Sequence, residues 1–273
     1  MKTWFITGTS KGFGRIWAEA ALERGDQVVA TARRVETLDE LVEKYGDKVL
    51  PLALDVTDKA AVDAAIKQGF ERFERLDIVV NNAGYGHFGA IEEATEAEVR
   101  AQFETNVFGA LWVTQAALPY LRQQGSGHLL QVSSIGGVHA FPTLGLYHAS
   151  KWALEAFSQS LAAEVQEFGI KVTLVEPTGF STDWSGPSAA RSEELDVYDG
   201  VRERRAAYFA SIQSKPGDPE ATGPVILKLV DMEEPPLRLF LGKGPFKMIQ
   251  EEYAKRIAQW GEFNDLAEEA HGD

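Results

Sequence analysis

Tyr147 and Lys151 stand four residues apart at the end of the stretch SIGGVHAFPTLGLYHASK, which begins at Ser134. On a helix this spacing puts the phenol and the ammonium on one face, one turn apart. A cation beside a phenol favours the phenolate and draws its pKa down from about 10. A general acid/base needs such a group. Tyr-x-x-x-Lys is also common on surface helices, so the elements around the pair have to decide its meaning.

Those elements alternate. Residues 2–7 form a short apolar run that reads as a buried strand. Thr7-Gly8-Thr9-Ser10-Lys11-Gly12-Phe13-Gly14 follows, and then a helical pattern over 15–23 with Ile16, Trp17, Ala20 and Ala21 inward. Strand, glycine turn and helix is the setting in which backbone N–H groups at a helix N-terminus hold phosphate. The spacing here is G-x-x-x-G-x-G, not the commoner G-x-G-x-x-G.

Residues 27–32 (QVVATA) are a second strand, and Arg33-Arg34 follow it. An acidic residue at this place would bond ribose hydroxyls, whereas two guanidinium groups suit a ribose phosphate. Lys11 in the glycine turn adds a further cation. A helix over 38–45 precedes a third strand over 49–54, which runs into Asp55-Val56. Thr57 is expected to cap a helix over 58–75.

The fourth strand, 76–80, leads into Asn81-Asn82-Ala83-Gly84 and the glycine-aromatic loop YGHFGA. A long helix over 96–121 carries Asn106 in its middle, a poor interior residue unless its amide has a task. Strands over 128–133 and 170–175 flank a helix over 148–168, and Glu176-Pro177-Thr178-Gly179 closes the last of these strands. Strand and helix in alternation call for a parallel sheet covered on both faces, with ligands at the carboxyl ends of the strands. Asp55, Asn81 to Gly84 and Ser134 all fall at such ends.

The composition then shifts. Residues 180–200 are rich in Ser, Asp, Pro and Gly, contain Trp184 and Tyr198, and read as a lid. Helices over 201–214 and before 230, the latter with Pro219 near its first turn, a seventh strand over 237–241 and an acidic helical extension over 245–269 complete the chain. The expectation is one domain over 1–273. Its parts are a core over 1–180, a lid over 181–215, and a last strand with helical extension over 216–273.

The 273 residues, 44% of them hydrophobic, are enough for one substantial core. A net charge of -14 argues against nucleic acid or an anionic membrane as partner. No cysteine is present, which excludes disulfides, thiolate metal sites and a cysteine nucleophile; no metal site is expected. No apolar run approaches a membrane span, and the N-terminus leaves no room for a signal peptide. The expected location is the cytoplasm.

Together Thr7-Gly8-x-x-x-Gly12-x-Gly14, Asp55, Asn81-Asn82-Ala83-Gly84, Asn106, Ser134 and Tyr147-x-x-x-Lys151 resemble the short-chain dehydrogenase/reductase family. The resemblance covers residues 1 to about 185 and implies an α/β, Rossmann-like doubly wound parallel sheet of seven strands. It implies a nicotinamide cofactor, with Gly8, Ser10, Lys11, Gly12, Phe13 and Gly14 along the diphosphate and Asp55 and Val56 beside the adenine. Asn82, Ala83 and Gly84 lie beneath the cofactor, and Pro177, Thr178, Gly179 and Thr182 beyond the sixth strand. Arg33 matches the family's mark for NADP(H) over NAD(H). Asn106, Ser134, Tyr147 and Lys151 match its catalytic tetrad, and the last two also contact the cofactor. In that setting Ser134 bonds the substrate oxygen and Asn106 holds a water in a relay to Lys151.

Two departures stand out. The Pro-Gly usual after the sixth strand is here Pro177-Thr178-Gly179. The chain also runs some thirty residues past the seventh strand, where family members often have a subunit interface. A homo-oligomer, dimer or tetramer, is expected.

His87, His139, Phe141, Leu144 and Trp184 are the expected substrate lining. This apolar and aromatic set has no arginine clamp, and it fits a hydrophobic ketone, aldehyde or alcohol better than a carboxylate or phosphate. A nucleotide-sugar epimerase or dehydratase shares Tyr-x-x-x-Lys, but it generally carries a larger C-terminal substrate domain. A non-catalytic NADP-binding sensor usually lacks part of the tetrad.

Overall fold

In strand β1 (Thr3–Thr7) alternate side chains enter two different cores: Trp4 and Ile6 face one, Phe5 the other. A strand that buries both faces belongs in the middle of a sheet. The computed structural model describes residues 1–211 and 215–272. It pairs β1 in parallel with β2 (Gln27–Ala32) on one side and β4 (Ile78–Asn81) on the other. The sheet extends from β2 to β3 (Val49–Ala53), and from β4 through β6 (Gly127–Val132) and β7 (Ile170–Pro177) to β9 (Arg238–Leu241). All seven strands run parallel, in the order β3-β2-β1-β4-β6-β7-β9. The chain direction across the sheet therefore reverses between β1 and β4, and a crevice forms at such a switch.

Helices cover both faces. On the Trp4 side lie α1 (Gly12–Arg24), α2 (Asp39–Tyr45) and α8 (Thr222–Asp231), which contribute Ile16, Trp17, Leu41 and Ile226 to the core. On the Phe5 side α3 (Lys59–Phe73), α5 (Ala110–Gln124) and α6 (Gly145–Val165) contribute Ile66, Val113 and Leu161. At roughly 1.5–3 kcal/mol for each large apolar side chain fully buried, these two layers are the main source of stability. Trp17 Nε1 also donates to Thr222 Oγ1 at 2.8 Å, which fixes α8 on α1.

Several boundaries differ from the sequence expectation. Asp58, not Thr57, caps α3, accepting from Ala61 N at 3.0 Å; Thr57 instead bonds back to Asp55. Ala20 is half-buried, on the α1 edge facing α8. The expected single helix around Asn106 is α4 (Glu96–Phe103), a π-helical turn over Glu104–Gly109, and then α5. A π turn widens the helix by one residue, and such turns recur at functional positions.

The expected lid is more ordered than its composition suggested. It contains β8 (Ala190–Arg191), which pairs with β5 (His87–Phe88) in a separate two-stranded ribbon, and α7 (Asp199–Ser211). Its stretch 212–214 lies outside the described residues. Helices α9 (Pro245–Glu262) and α10 (Asn264–Glu269) form the C-terminal extension. Among the described residues no helix is long and apolar enough to cross a membrane.

Candidate active site

The ends of β1 and β4 are joined first. Gly8 adopts φ +70°, in the left-handed region. Asn82 Nδ2 donates to the carbonyls of Thr7 at 2.8 Å and Gly8 at 3.0 Å, while Asn82 N and Ala83 N both donate to Thr7 Oγ1 at 2.9 Å. Below them Asn81 Nδ2 bonds Gln131 Oε1 on β6 and Thr114 Oγ1 on α5. The Asn-Asn-Ala-Gly run thus locks the crevice at the switch point. A Cβ on Gly14 would lie 2.4 Å from Gly8 O and 2.5 Å from Asn82 Nδ2, so only glycine allows α1 to start this close.

Helix α1 begins with no side-chain cap and no acid in its first turn. Its free N–H groups and positive dipole end suit a diphosphate. Beyond Gly12 and Gly179, where a Cβ would project, no atom lies within 4 Å. Phe13 turns its ring inward, stacked on Trp17 at 5.4 Å and edge-on to Phe180 at 5.2 Å. Ser10 is exposed, as are Arg33 and Arg34, which make no ion pair among the described residues. Asp55 Oδ1 accepts from Thr57 N and Oγ1, and Val56 packs its side chain against Gly109 of the π turn. The donor set and open space fit a dinucleotide.

Thr178 answers the missing Pro-Gly. Its N–H and hydroxyl both donate to Leu241 O, at 3.0 and 3.1 Å, and so extend the β7–β9 pairing by one residue. Thr182 caps the turn that carries Trp184. Lys11 is not free beside the ribose: its Nζ pairs with Asp183 at 3.0 Å, tying the glycine turn to the lid.

Tyr147 and Lys151 share the buried face of α6, and Ser134 lies at the end of β6. Lys151 Nζ donates to Val132 O at 2.8 Å and sits 5.8 Å from the centroid of the Tyr147 ring. In the protein alone the expected fall of the tyrosine pKa is reversed. Burial pushes Tyr147 up to about 12, opposed only by a hydrogen bond with Ser134. Burial also pulls Lys151 down to about 8, and nearby Glu155 resists this. In this state desolvation dominates at both groups.

Asn106 lies in the π turn. Its Oδ1 accepts from Tyr85 N at 3.1 Å, and its Nδ2 donates to Tyr85 O at 3.0 Å and Ser150 Oγ at 3.1 Å. The amide pairs like a backbone unit with the loop after β4. A Cβ on Gly84 would lie 3.1 Å from Asn106 Oδ1 and 3.7 Å from Lys151 Nζ, which places these groups around one point. Gln102 and Ser150 complete the network: Gln102 Nε2 donates to Tyr85 O and Ser150 Oγ to Tyr147 O. Neither was singled out from the sequence, because a polar residue inside a helical pattern carries no signal of its buried partner.

The expected substrate lining divides in two. Trp184 lies edge-on to Tyr147 with centroids 4.9 Å apart and 5.5 Å from Phe88. Phe141 meets His139 at 4.6 Å and His148 at 5.7 Å, and Leu144 is buried before α6. His87 is buried with its Nε2 2.8 Å from Ser192 Oγ, where it joins the loop to the lid. His148, beside Tyr147, is held by Gly136 O at 3.0 Å, and burial lowers its pKa to about 4.

Residues 2–193 match the model of the family described as short chain dehydrogenase. The chain belongs to the short-chain dehydrogenase family. It is an oxidoreductase of that family. Oxidoreductase BOA17 of Botryotinia fuckeliana is 44% identical over 94% of this chain and 93% of its own. The 3-ketodihydrosphingosine reductase of Bacteroides thetaiotaomicron is 39% identical over 87% and 86%. A short-chain dehydrogenase from Streptomyces avermitilis superposes with TM-score 0.91 at 40% identity, over 99% of this chain and all of that one. Other short-chain dehydrogenase structures hold nicotinamide cofactors. A Thermococcus sibiricus alcohol dehydrogenase is complexed with 5-hydroxy-NADP (TM-score 0.73, 26% identity, 88% and 96% covered). A Brucella melitensis 3-ketoacyl-(acyl-carrier-protein) reductase is complexed with NADH (TM-score 0.76, 26% identity, 89% and 98% covered).

Proposed function

We propose that this short-chain dehydrogenase interconverts a carbonyl compound of apolar body and its alcohol, with NADP(H) as cofactor and Tyr147 as general acid/base. The observation that carries the reading is a buried phenol beside Ser134, with the Lys151 ammonium one helical turn away on the same face of α6. When bound, the nicotinamide supplies or accepts the hydride. Gly8, Gly12, Gly14 and the first turn of α1 hold its diphosphate, and Asn82 to Gly84 line the strand end beside it.

Tyr147 is protonated at neutral pH, with its pKa pushed up to about 12. It therefore holds a proton to give to a carbonyl oxygen during reduction. The Ser134 hydroxyl donates to the same oxygen and stabilises the charge that develops there. Lys151, fixed on Val132 O, faces the phenolate left behind and favours its formation more strongly in a dry site than in water. Trp184 and Phe141 keep that site apolar.

NADP(H) is favoured over NAD(H) by Arg33 and Arg34, exposed after β2 without carboxylate partners among the described residues. The cofactor named with the Thermococcus sibiricus enzyme agrees with this choice, whereas that of the Brucella melitensis enzyme does not. The name of the Bacteroides thetaiotaomicron relative agrees with reduction of a ketone on a long apolar chain. The reading includes a cytoplasmic location and a homo-oligomer, whose size light scattering gives. Its test is NADPH oxidation across a panel of aromatic and aliphatic ketones. Cofactor binding with no turnover on any of them would replace it with a sensor.

A further inference from the structure

About half of the arginines meet a carboxylate among the described residues, and others such as Arg33, Arg34 and half-buried Arg256 meet none. Half-buried Arg15 and the more exposed Arg24 and Arg238 each meet a carboxylate. Arg202 on α7 collects three, from Glu93, Glu194 and Asp199. Arg205, three residues on and also half-buried, meets none among the described residues. Its Nε is buried without a hydrogen-bond partner. The charged group that acts on it is another cation, Arg191 of β8.

Two aromatic rings hold the Arg205 guanidinium in place. Its Cζ lies 5.4 Å from the centroid of Phe88 and 5.2 Å from that of Phe209. These rings belong to the two walls of the site. Phe88 touches Trp184, which meets Tyr147; Phe209 lies 5.8 Å from Phe141, which meets His148 beside Tyr147. The cation therefore bridges both walls, two aromatic side chains out from the phenol by way of Phe88 and Trp184. Arg191 lies 4.5 Å from the same Phe88 ring, bonded through Nη2 to Ser185 O, and adds a second positive charge to this mouth. Burial and Arg191 both lower the Arg205 pKa, the mark of a desolvated cation lacking its counter-ion.

We propose that Arg205, with Arg191 beside it, binds a carboxylate on the substrate, so that the compound reduced at Tyr147 is an oxo acid with an apolar spacer. The inference rests on the carbonyl-reduction reading above and names its substrate class. A guanidinium fork matches a carboxylate in two parallel hydrogen bonds, which its terminal Nη groups supply. Stacking on Phe88 and Phe209 pre-orients the fork, so little freedom is lost on binding. The spacer runs along Phe88 and Trp184, the rings that link Arg205 to Tyr147. The expectation of a pocket without an arginine clamp missed this residue, which lies in the run Arg202-Glu203-Arg204-Arg205.

The test uses the full chain saturated with NADP, titrated calorimetrically with 4-phenylbutyrate and with its methyl ester. The acid should bind about 10- to 100-fold more tightly than the ester, the range expected for charged hydrogen bonds. Arg205→Met should bring that ratio to about one. Arg205→Lys should keep part of it, and Arg204→Met, on the exposed side of α7, should keep all of it. Equal affinity for acid and ester, or the same loss in the Arg204 and Arg205 variants, overturns the proposal. NADPH oxidation with 4-oxo-4-phenylbutyrate is read separately. Charge-dependent binding without turnover counts against carbonyl reduction while leaving the carboxylate site standing.

Discussion

The indole of Trp184 meets the phenol of Tyr147 edge-on, with ring centroids 4.9 Å apart and planes at 61°. The two residues lie on different elements, one in the lid and one on α6. A Cβ on Gly86 would fall 2.7 Å from the indole, so the loop after β4 is shaped to receive it. The contact shields the phenol from water and contributes to its raised pKa. Trp184→Ala should raise KM for apolar ketones by about tenfold, since an aromatic pair contributes roughly 0.5–1.5 kcal/mol beyond area burial. It should also lower the tyrosine pKa seen by ultraviolet difference titration. An unchanged KM would mean that the indole only packs the lid.

Tyr147→Phe removes the proton while keeping the ring against Trp184 and His148. A general-acid contribution of about 10²- to 10⁴-fold predicts at least a ~100-fold loss in kcat. Cofactor affinity, measured by fluorescence titration, should stay within a few-fold. Turnover at the original rate would remove Tyr147 from the mechanism.

Arg33→Asp replaces an exposed cation after β2 with the acid that would bond ribose hydroxyls. Charged hydrogen bonds of this kind change affinity by about 10- to 100-fold. KM for NADPH should rise by that factor, and KM for NADH should stay level or fall. Equal rises for both cofactors would assign Arg33 a structural part only.

The strand ends were legible because each strand is a short apolar run closed by polar or glycine residues. Gly8, Asn82 and Ser134 fall where the alternation of strand and helix puts them. Other features depend on contacts that local pattern does not encode. The Lys11–Asp183 pair joins residues 172 apart in the chain. The π turn around Asn106 keeps an unbroken helical pattern, so it read as one helix. Arg205 sits in a helix with no buried residue, where a solvated face is the ordinary reading. The burial that raises the Tyr147 pKa in the protein alone, and its contact with Trp184 of the lid, are likewise not encoded in the local pattern.

Gly14→Ala tests how tightly the glycine turn is packed. Inside a helix, alanine is favoured over glycine by about 1 kcal/mol. Here the new Cβ would strike Gly8 O at 2.4 Å and Asn82 Nδ2 at 2.5 Å, neither of which can move without breaking the β1–β4 junction. Overpacking of this kind costs about 1–3 kcal/mol and should exceed the propensity gain. Urea unfolding should show a net loss, with weaker cofactor binding. A stabilised variant would show that the junction yields.

Behind the site, Glu155 and Glu176 are both buried beside Arg238, whose Nε lies 2.9 Å from Glu155 Oε2 and 3.5 Å from Glu176 Oε1. Neither oxygen of Glu176 has a hydrogen-bond partner. Burial and the charge of Glu155 push Glu176 up to about 8, so the pair retains a proton at neutral pH. The folded pKa is above the unfolded value of about 4.3, so the native state binds this proton more tightly. The stability it confers is complete below about pH 4 and declines as pH rises towards 8. Glu176→Gln copies the neutral carboxyl at every pH. It should match the parent below about pH 4 and exceed it by a margin that grows as pH rises towards 8, read in urea unfolding. Parallel pH profiles for the two proteins would mean that Glu176 is ionised in the fold and that Arg238 alone neutralises both carboxylates.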